Sequence, residues 1–470
     1  MKFLSFKSTR LLKVWVLSFF ILMQLSCSSD DGTPSEPVAE NPDPSINPTE
    51  PLPSLVINTN GATIVDEPKV NATLQITDNE VVDFEGAIAI EFRGASSQAL
   101  FPKKSYGFET RDASNADLDT SLLGLPEEED WILHGPYSDK SLMRNLFIYD
   151  LSRSIGMYAS RAQFVELNVN GVYQGVYLLM EKLKRDKNRI DIAKLKEDEN
   201  TGEDLTGGYV LKIDKLSASD PGGGAYTPQN SFESEYLPPV GNIGQEIHFL
   251  YEYPDAEEIT TEQKAYIADY INNFEDALAS DDFTDPNTGY AAYIDVDSFI
   301  DFFLLTELSN NVDGYRLSTY LNKDKNEKLK MGPIWDFNLA FGNADYCSGG
   351  ATNVWAYKFN ERCSNDIWLV PFWWDRLLQD PAFVARLQDR WNSLRGSSFS
   401  DTAISEQLNG YVQSLEDAAV LDSNFQKWPV LGTYIWPNNF VGSSYSDEVD
   451  YLQTWLADRL SWLDNEIDGL

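Results

Sequence analysis

Between residues 56 and 185, apolar and polar positions alternate with the two-residue period of strands. "GAIAIEFRG" and "KKSYGFET" read as strands with one buried face, and "QFVELNVNGVYQGVYLLMEKL" reads as a hairpin turning at Asn170-Gly171. "DKSLMRNLFIYDLSRSIG" interrupts them with apolar residues at helical spacing, an Asp at its head and Gly156 at its tail, which predicts a capped helix. Beyond residue 185 the period lengthens. "TTEQKAYIADYINNFEDALAS", "DVDSFIDFFLLTELSNN", "PAFVARLQDRWNSLRG", "ISEQLNGYVQSLEDAAVLD" and "DEVDYLQTWLADRLSWLDNEI" all predict amphipathic helices. Among them lies "NVDGYRLSTYLNKDKNEKLKMGPIWDFN", residues 311–338, which reads as two strands joined by a charged turn. The pattern predicts an α+β fold with a strand-rich N-terminal lobe over 56–185 and a helical C-terminal lobe over 186–470. A cleft between such lobes is where ligands commonly sit. The chain shows no internal repeat.

Ahead of this pattern, the chain is not built to fold. "MKFLSFKSTRLLK" is basic, "VWVLSFFILMQLS" is apolar over the length of a signal-peptide core, and "SCSS" follows. Residues 1–26 therefore read as a secretory signal, and Cys27, directly after a small residue, as the lipid attachment point of an exported lipoprotein. The apolar run is short for a spanning helix. The acidic "SSDDG" that follows resembles the export tag of outer-surface lipoproteins in some Gram-negative bacteria. Residues 27–55 are rich in Pro, Ser and acids, with almost nothing to bury, and read as a disordered tether.

Composition narrows the partners. The 470 residues carry a formal net charge of −38 from 74 acidic and 36 basic side chains, so a nucleic-acid backbone is repelled. An anionic ligand would need its cations gathered locally, or a divalent metal. With Cys27 set aside, Cys347 and Cys363 remain, and in an exported chain they read as a disulfide, which contributes about 3 kcal/mol on chain-entropy grounds. Two Cys with the distant His134 and His248 make a poor zinc set.

Within residues 311–338, Asp313 precedes the first strand and Asp336 follows the second. Pairing the strands carries both carboxylates to one end of the hairpin. Two anions so placed repel unless a proton or cation intervenes, and Mg²⁺ or Mn²⁺ suits oxygen ligands left partly open to water and phosphate. Two loop acids with separate partners remain the alternative at this stage.

An acid, a hairpin and a metal-binding Asp occur in this order in protein kinases. "NVDGYRLSTY…KMGPIWDFNLAFGN" resembles the corresponding segment of the CotH family of atypical kinases, named for a spore coat protein. "EFRGASSQALFPKKSYGFET", "DWILHGPYSDKSLMRNLFIYDLSRSIG", "ELNVNGVYQGVYLLMEKLKRDKNRIDI" and "GGYVLKID" resemble further family blocks in the family's order. The resemblance implies an atypical protein-kinase-like bilobal fold, with ATP and Mg²⁺ or Mn²⁺ as cofactors. It implies Asp313 as the catalytic acid and Asp336 as the metal ligand. Lys103 and Lys104 would offer charge to the phosphates. Only one of two successive strand residues can face the cleft, and Lys104 is favoured. Arg93 would bind phosphate as a fork, a salt bridge to a nearby acid being the competing reading. Glu181 would partner the lysine or contact ribose, with Glu166 as competitor. Arg144 and Asn145 match the family's "RN", which packing and capping explain equally well.

Two departures bear on activity. Asn338 stands where family members often carry a second Asp, and Ser318 where a kinase catalytic loop places a metal-holding Asn; both keep oxygen ligation at lower charge. "PGGGAY" reads as a surface insert, not a phosphate loop. The expected activity is therefore metal-dependent transfer of the ATP γ-phosphate to a Ser or Thr of an exported protein. A surface adhesin or carbohydrate- or protein-binding module is the other class, and nucleotidyl transfer a third reading. Trp368, Trp373 and Trp374, in "DIWLVPFWWDRLL", are read as core from their helical spacing, with an exposed stacking surface as the alternative.

Overall fold

Alternation in the first lobe closes on itself. The computed structural model describes residues 51–216, 224–242 and 244–470. Its first seven strands are β1 (Ser54–Asn58), β2 (Val70–Asp78), β3 (Val81–Arg93), β4 (Ser105–Arg111), β5 (Asp130–His134), β6 (Ala162–Val169) and β7 (Val172–Glu181). They form a closed barrel in the order β1-β2-β3-β4-β5-β7-β6. Neighbours run antiparallel except for β1 and β6, which pair in parallel from Ser54–Glu166 to Ile57–Val169 and complete the closure. The inward positions of each strand fill the barrel, among them Leu55, Ile57, Leu74, Ile90, Phe108 and Val165. Asn170 and Gly171 turn the β6–β7 hairpin with φ of 53° and 75°, as the Asn-Gly signal predicts.

Five more strands form a second sheet in the order β12-β11-β8-β10-β9. They are β8 (Tyr209–Ile213), β9 (Ser231–Glu233), β10 (His248–Tyr253), β11 (Thr319–Lys323) and β12 (Lys330–Met331). The mixed helix-and-strand class stands. The finer expectation of a kinase-like pair of lobes is not confirmed by a barrel of this kind, and the region beyond residue 185 is not purely helical. Strands of two to six residues pair across long sequence separations there, and windows so short carry little periodicity.

The helices are α1 (Ser96–Leu100), α2 (Arg144–Ser154), α3 (Thr261–Ala279), α4 (Val296–Ser309), α5 (Phe359–Arg362), α6 (Trp373–Leu377), α7 (Pro381–Arg395), α8 (Asp401–Asp417), α9 (Leu421–Lys427) and α10 (Tyr445–Asp468). Short polar side chains start several of the longer ones. Thr260 and Gln263 make a capping box on α3, Ser444 and Asp447 another on α10, and Asp380 caps α7 ahead of Pro381. α2 differs from the expected capped helix. Its first residue is preceded by Met143, without a side-chain cap, while the carboxylate of Asp139 accepts the backbone N–H of Arg144 at 2.9 Å from outside the helix. α4 is apolar around most of its circumference, and from Phe299 onward only Asp301 among its residues is not buried. It runs through the large core that helices and second sheet share. Trp373 and Trp374 belong to that core, as their spacing predicts, while Trp368 is half-buried elsewhere.

Cys347 and Cys363 form the expected disulfide, with Cα atoms 5.8 Å apart. The signal segment 1–26, the lipidation residue Cys27 and the tether up to residue 50 lie outside the described residues, as does part of "PGGGAY". No described helix is long and apolar enough to cross a membrane.

Candidate active site

Five segments converge where the end of β3, the N-terminal half of α2 and the second sheet meet. The first is the chain after α4. Asn310, in the left-handed conformation at φ 41°, ends that helix and turns the chain into the segment carrying Asp313. The Asp313 carboxylate accepts through Oδ1 from Arg316 Nη2 at 2.9 Å and from the Tyr346 hydroxyl at 3.3 Å. Its other oxygen accepts nothing from a described residue and is left for a ligand.

The second segment carries Asp336, which follows β12. Two residues of α2 hold this loop: Tyr149 Oη accepts the Asp336 N–H at 3.1 Å, and Asn145 Oδ1 accepts the Phe337 N–H at 2.8 Å. Arg144 donates through Nε to the carbonyl of Ala340 at 3.2 Å and through Nη2 to that of Phe341 at 3.5 Å, while Nη1 meets Asp139 and Ser141. Asn145 also meets His134 Nε2 at 3.4 Å; burial pushes that imidazole down to about 4, so it stays neutral. The family "RN" pair thus aims the loop. Asp336 has φ of 62°, a conformation L side chains rarely adopt.

The Asp336 carboxylate accepts no hydrogen bond from a described residue. It is exposed at the surface, yet enough protein surrounds it to disfavour its charged form. That crowding, then the charges of Asp313 and Asp214, push its carboxyl up to about 6. Asp313 and Asp336 are therefore brought together, and the hairpin explains how: β11 pairs antiparallel with β12, Leu321 opposite Met331, so the chain enters and leaves at one end.

Asp214 was not singled out from sequence. It follows β8, whose Ile213 pairs with Thr319 of β11, and this register sets Asp214 beside Ser318. Ser318 Oγ lies 3.4 Å from Asp214 Oδ2, so Ser318 faces this acid. Only the cross-strand pairing could have pointed to it. The carbonyl of Asn338 accepts from Asn343 Nδ2 at 2.8 Å. Among the described residues, the three acids whose oxygens all lie within 4.8 Å of one another are Asp119, Glu128 and Glu129, on the barrel. Lys184 already bridges two of these, at 2.8 Å to Glu128 and 2.5 Å to Glu129. Asp214, Asp313 and Asp336 are not so tightly grouped, which suits an ion that keeps several waters.

Cations frame the other side. Arg93, the last residue of β3, lies over the Trp335 ring at 5.3 Å, and Trp335 in turn stacks on Tyr149. Among the described residues its guanidinium has no hydrogen-bond or ion-pair partner, so the competing salt-bridge reading does not hold. Gly94 follows at φ 97°, where a Cβ would come within 2.4 Å of Ser97 Oγ; it starts the loop over the site. Lys215 reaches that loop at Ser96, 3.3 Å away.

Three expected site residues lie differently. Lys103 and Lys104 precede β4 and are not strand residues. Lys104 donates to the carbonyls of Gln98 and of Phe101, the latter at 2.7 Å, within its own loop. Lys103 is 1% exposed, donates to the Val176 carbonyl at 2.6 Å, lies 3.3 Å from Asn424 Oδ1, and is held down to about 7 by burial. Its ammonium joins α9 to β7 and is not open to a phosphate. Glu181 partners neither lysine. It is fully buried and accepts from Arg161 at 3.0 Å and from Tyr158 at 3.1 Å. Glu166 accepts from the Tyr173 hydroxyl at 2.7 Å. Each lysine and each glutamate found a partner nearer than the one kinase logic supplied.

Comparison with known families matches the chain to "CotH kinase protein" over residues 90–463. No curated protein matches it.

Proposed function

Since the chain belongs to the CotH kinase family, we propose that it is an atypical kinase moving the γ-phosphoryl group of ATP to a Ser or Thr hydroxyl of an exported protein. The observation that carries this reading is the unpartnered Asp336 carboxylate beside Asp313, facing an unpartnered Arg93. An exposed carboxylate that accepts from no described residue, with Asp313 and Asp214 close by, suits a divalent cation, so the residues present fit Mg²⁺ or Mn²⁺. Asp336 would hold it, with Asp214, Ser318 and Asn338 as the further oxygen donors of this loop cluster. When bound, the ion neutralises phosphate charge. Arg93 fits a phosphate oxygen pair as a fork.

In the transfer, the acceptor oxygen forms a bond to the γ-phosphorus. The β–γ bridging bond breaks, and ADP leaves with its electron pair. Asp313, anchored through one oxygen, presents the other to the acceptor hydroxyl, orients it and takes its proton as the bond forms. Most of the catalysis is positioning and charge neutralisation. Export through residues 1–26, lipidation at Cys27 and exposure at the outer membrane surface belong to the same proposal, and the disulfide suits an oxidising compartment.

The test is label transfer from γ-labelled ATP to a generic acceptor protein, with Asp313→Asn and Asp336→Asn variants that remain folded. Labelling by wild type and loss in both is the expected result. Equal labelling by all three would refute the site assignment. A second reading, a binding module, is favoured by Trp436, which is 47% exposed and stacks on Tyr346 beside Asp313. Thermal shift separates the two: no response to ATP with Mn²⁺, alongside retention on a glycan or protein array, selects it. Mass spectrometry of the product distinguishes phosphoryl from nucleotidyl transfer.

A further inference from the structure

Of the two groups that fix Asp313, Tyr346 comes from a stretch far from it in sequence, and Arg316, three residues away, is anchored by a second distant stretch that is joined to the first. Tyr346, whose hydroxyl donates to Asp313 Oδ1, is the residue before Cys347. Arg316, the other donor, is itself anchored from beyond Cys363. Its Nη1 donates to the Trp368 carbonyl at 3.1 Å and lies 3.3 Å from Asp366 Oδ1, and its guanidinium lies over Phe359 at 4.0 Å. The Asp366 N–H in turn donates to the Cys363 carbonyl at 2.9 Å, and the Trp368 N–H to Asp366 Oδ1 at 3.0 Å. Arg362 closes the circuit from its own side, donating to the Cys347 carbonyl at 3.3 Å and to that of Trp355 at 2.8 Å.

Each stretch alone is a poor anchor. Cys347 and Ser348 are successive non-glycine residues at φ 49° and 61°, a turn that L side chains adopt at a cost. Residues 363–368 are loop, with only short helical pieces to either side. The bond between Cys347 and Cys363 makes the two stretches one unit. One end of that unit donates to the carboxylate, and the other holds the arginine that donates to the same oxygen.

We propose that the Cys347–Cys363 disulfide is a positioning element for Asp313, a cross-brace that keeps Tyr346 and the Asp366–Trp368 stretch registered on the carboxylate and on Arg316. The inference rests on the kinase reading for its consequence, not for its geometry. Both cysteines are half-buried, so a small reductant reaches them. A phosphine gives up two electrons, opens the S–S bond to two thiols with protons from water, and leaves as its oxide.

The experiment compares the oxidised protein, the phosphine-reduced protein and the Cys347→Ser/Cys363→Ser variant, by hydrogen exchange and by label transfer. Exchange in 311–318 should rise on reduction together with that in 345–368, while the barrel strands β6 and β7 stay unchanged. The turnover number should fall about tenfold or more, since displacement by an ångström is enough for that, with KM for ATP unaltered. The Ser variant should match the reduced protein and ignore the phosphine. A merely structural disulfide would raise exchange in the barrel as well, or in 345–368 alone; either result overturns the proposal. If the oxidised wild type transfers no label, the kinase reading falls, and exchange in 311–318 still decides the brace.

Discussion

Glu307 and Asp336 sit in adjoining parts of the molecule and show opposite treatment of a carboxylate. Glu307, on α4, is fully buried and saturated. It accepts the N–H groups of Ala356 and Tyr357 at 2.7 and 2.8 Å, the Tyr315 hydroxyl at 3.0 Å and Arg459 at 3.3 Å. Asp336 is open, accepts from no described residue, and is crowded by two further acids. The first acid is an architectural hub around which α4, α10 and the segment after the disulfide turn are fastened. The second is held in place through its backbone, and its charge has Arg93 and Lys215 nearby but no hydrogen-bonded partner among the described residues. In a chain with 74 acids, their presence says little; the company each keeps separates structure from chemistry.

Breaking the hub should have the largest effect. Arg459→Met leaves Glu307 buried without its counter-charge and should lower stability by about 3–5 kcal/mol, read as a lower urea midpoint at unchanged slope. Asp336→Asn should do the reverse. Label transfer should fall by about two to three orders of magnitude, with no loss of urea midpoint. Equal destabilisation by the two variants would erase the contrast. Arg93→Met removes a half-buried cation whose guanidinium has no hydrogen-bond or ion-pair partner among the described residues and only the Trp335 ring beneath it. KM for ATP should rise by the equivalent of about 1.5–3 kcal/mol, at constant stability.

The smallest effect is a pH dependence. The folded carboxyl of Asp336 titrates at about 6, above its unfolded value, so the native state binds more protons between roughly pH 4 and 6. Stability should therefore fall as pH rises through that window. Because the group is open to water, its share is only about 1 kcal/mol after allowance for solvent screening. Wild type minus Asp336→Asn isolates it, and Mn²⁺ should offset it above pH 6 in wild type alone. A wild type that gains stability relative to the variant across the window would show that Arg93 and Lys215 outweigh burial and the two acids at Asp336.

Local signals were legible. The Asn170-Gly171 turn, the amphipathic helices, the disulfide and the hairpin joining Asp313 to Asp336 all rest on residues near one another in sequence or on a chemistry with few alternatives. Side-chain direction was not. Lys103 and Lys104 were read as successive strand residues, but they sit in a bend, where alternation does not apply, and the buried one faces Asn424 across 321 positions. Glu181, expected to partner the lysine or contact ribose, accepts from Arg161 and Tyr158. Asp214, Arg316 and Tyr346 went unnoticed because their roles exist only after distant segments meet. Barrel closure was hidden for the same reason: β1 and β6 are parallel partners that no short window contains.

That closure also settles how the fold meets a pull from its N-terminal side. The chain enters through Pro53, whose carbonyl accepts the Glu166 N–H at 2.9 Å, directly into β1. β1 pairs with β2 from Ser54 to Asn58 and with β6 from Ser54 to Ile57. Tension along the chain therefore runs parallel to β1 and must shear two rows of hydrogen bonds together, where an edge strand pulled from its end would peel away bond by bond. The first stave of the barrel is thus a mechanical anchor, able to take strain before it reaches the cleft.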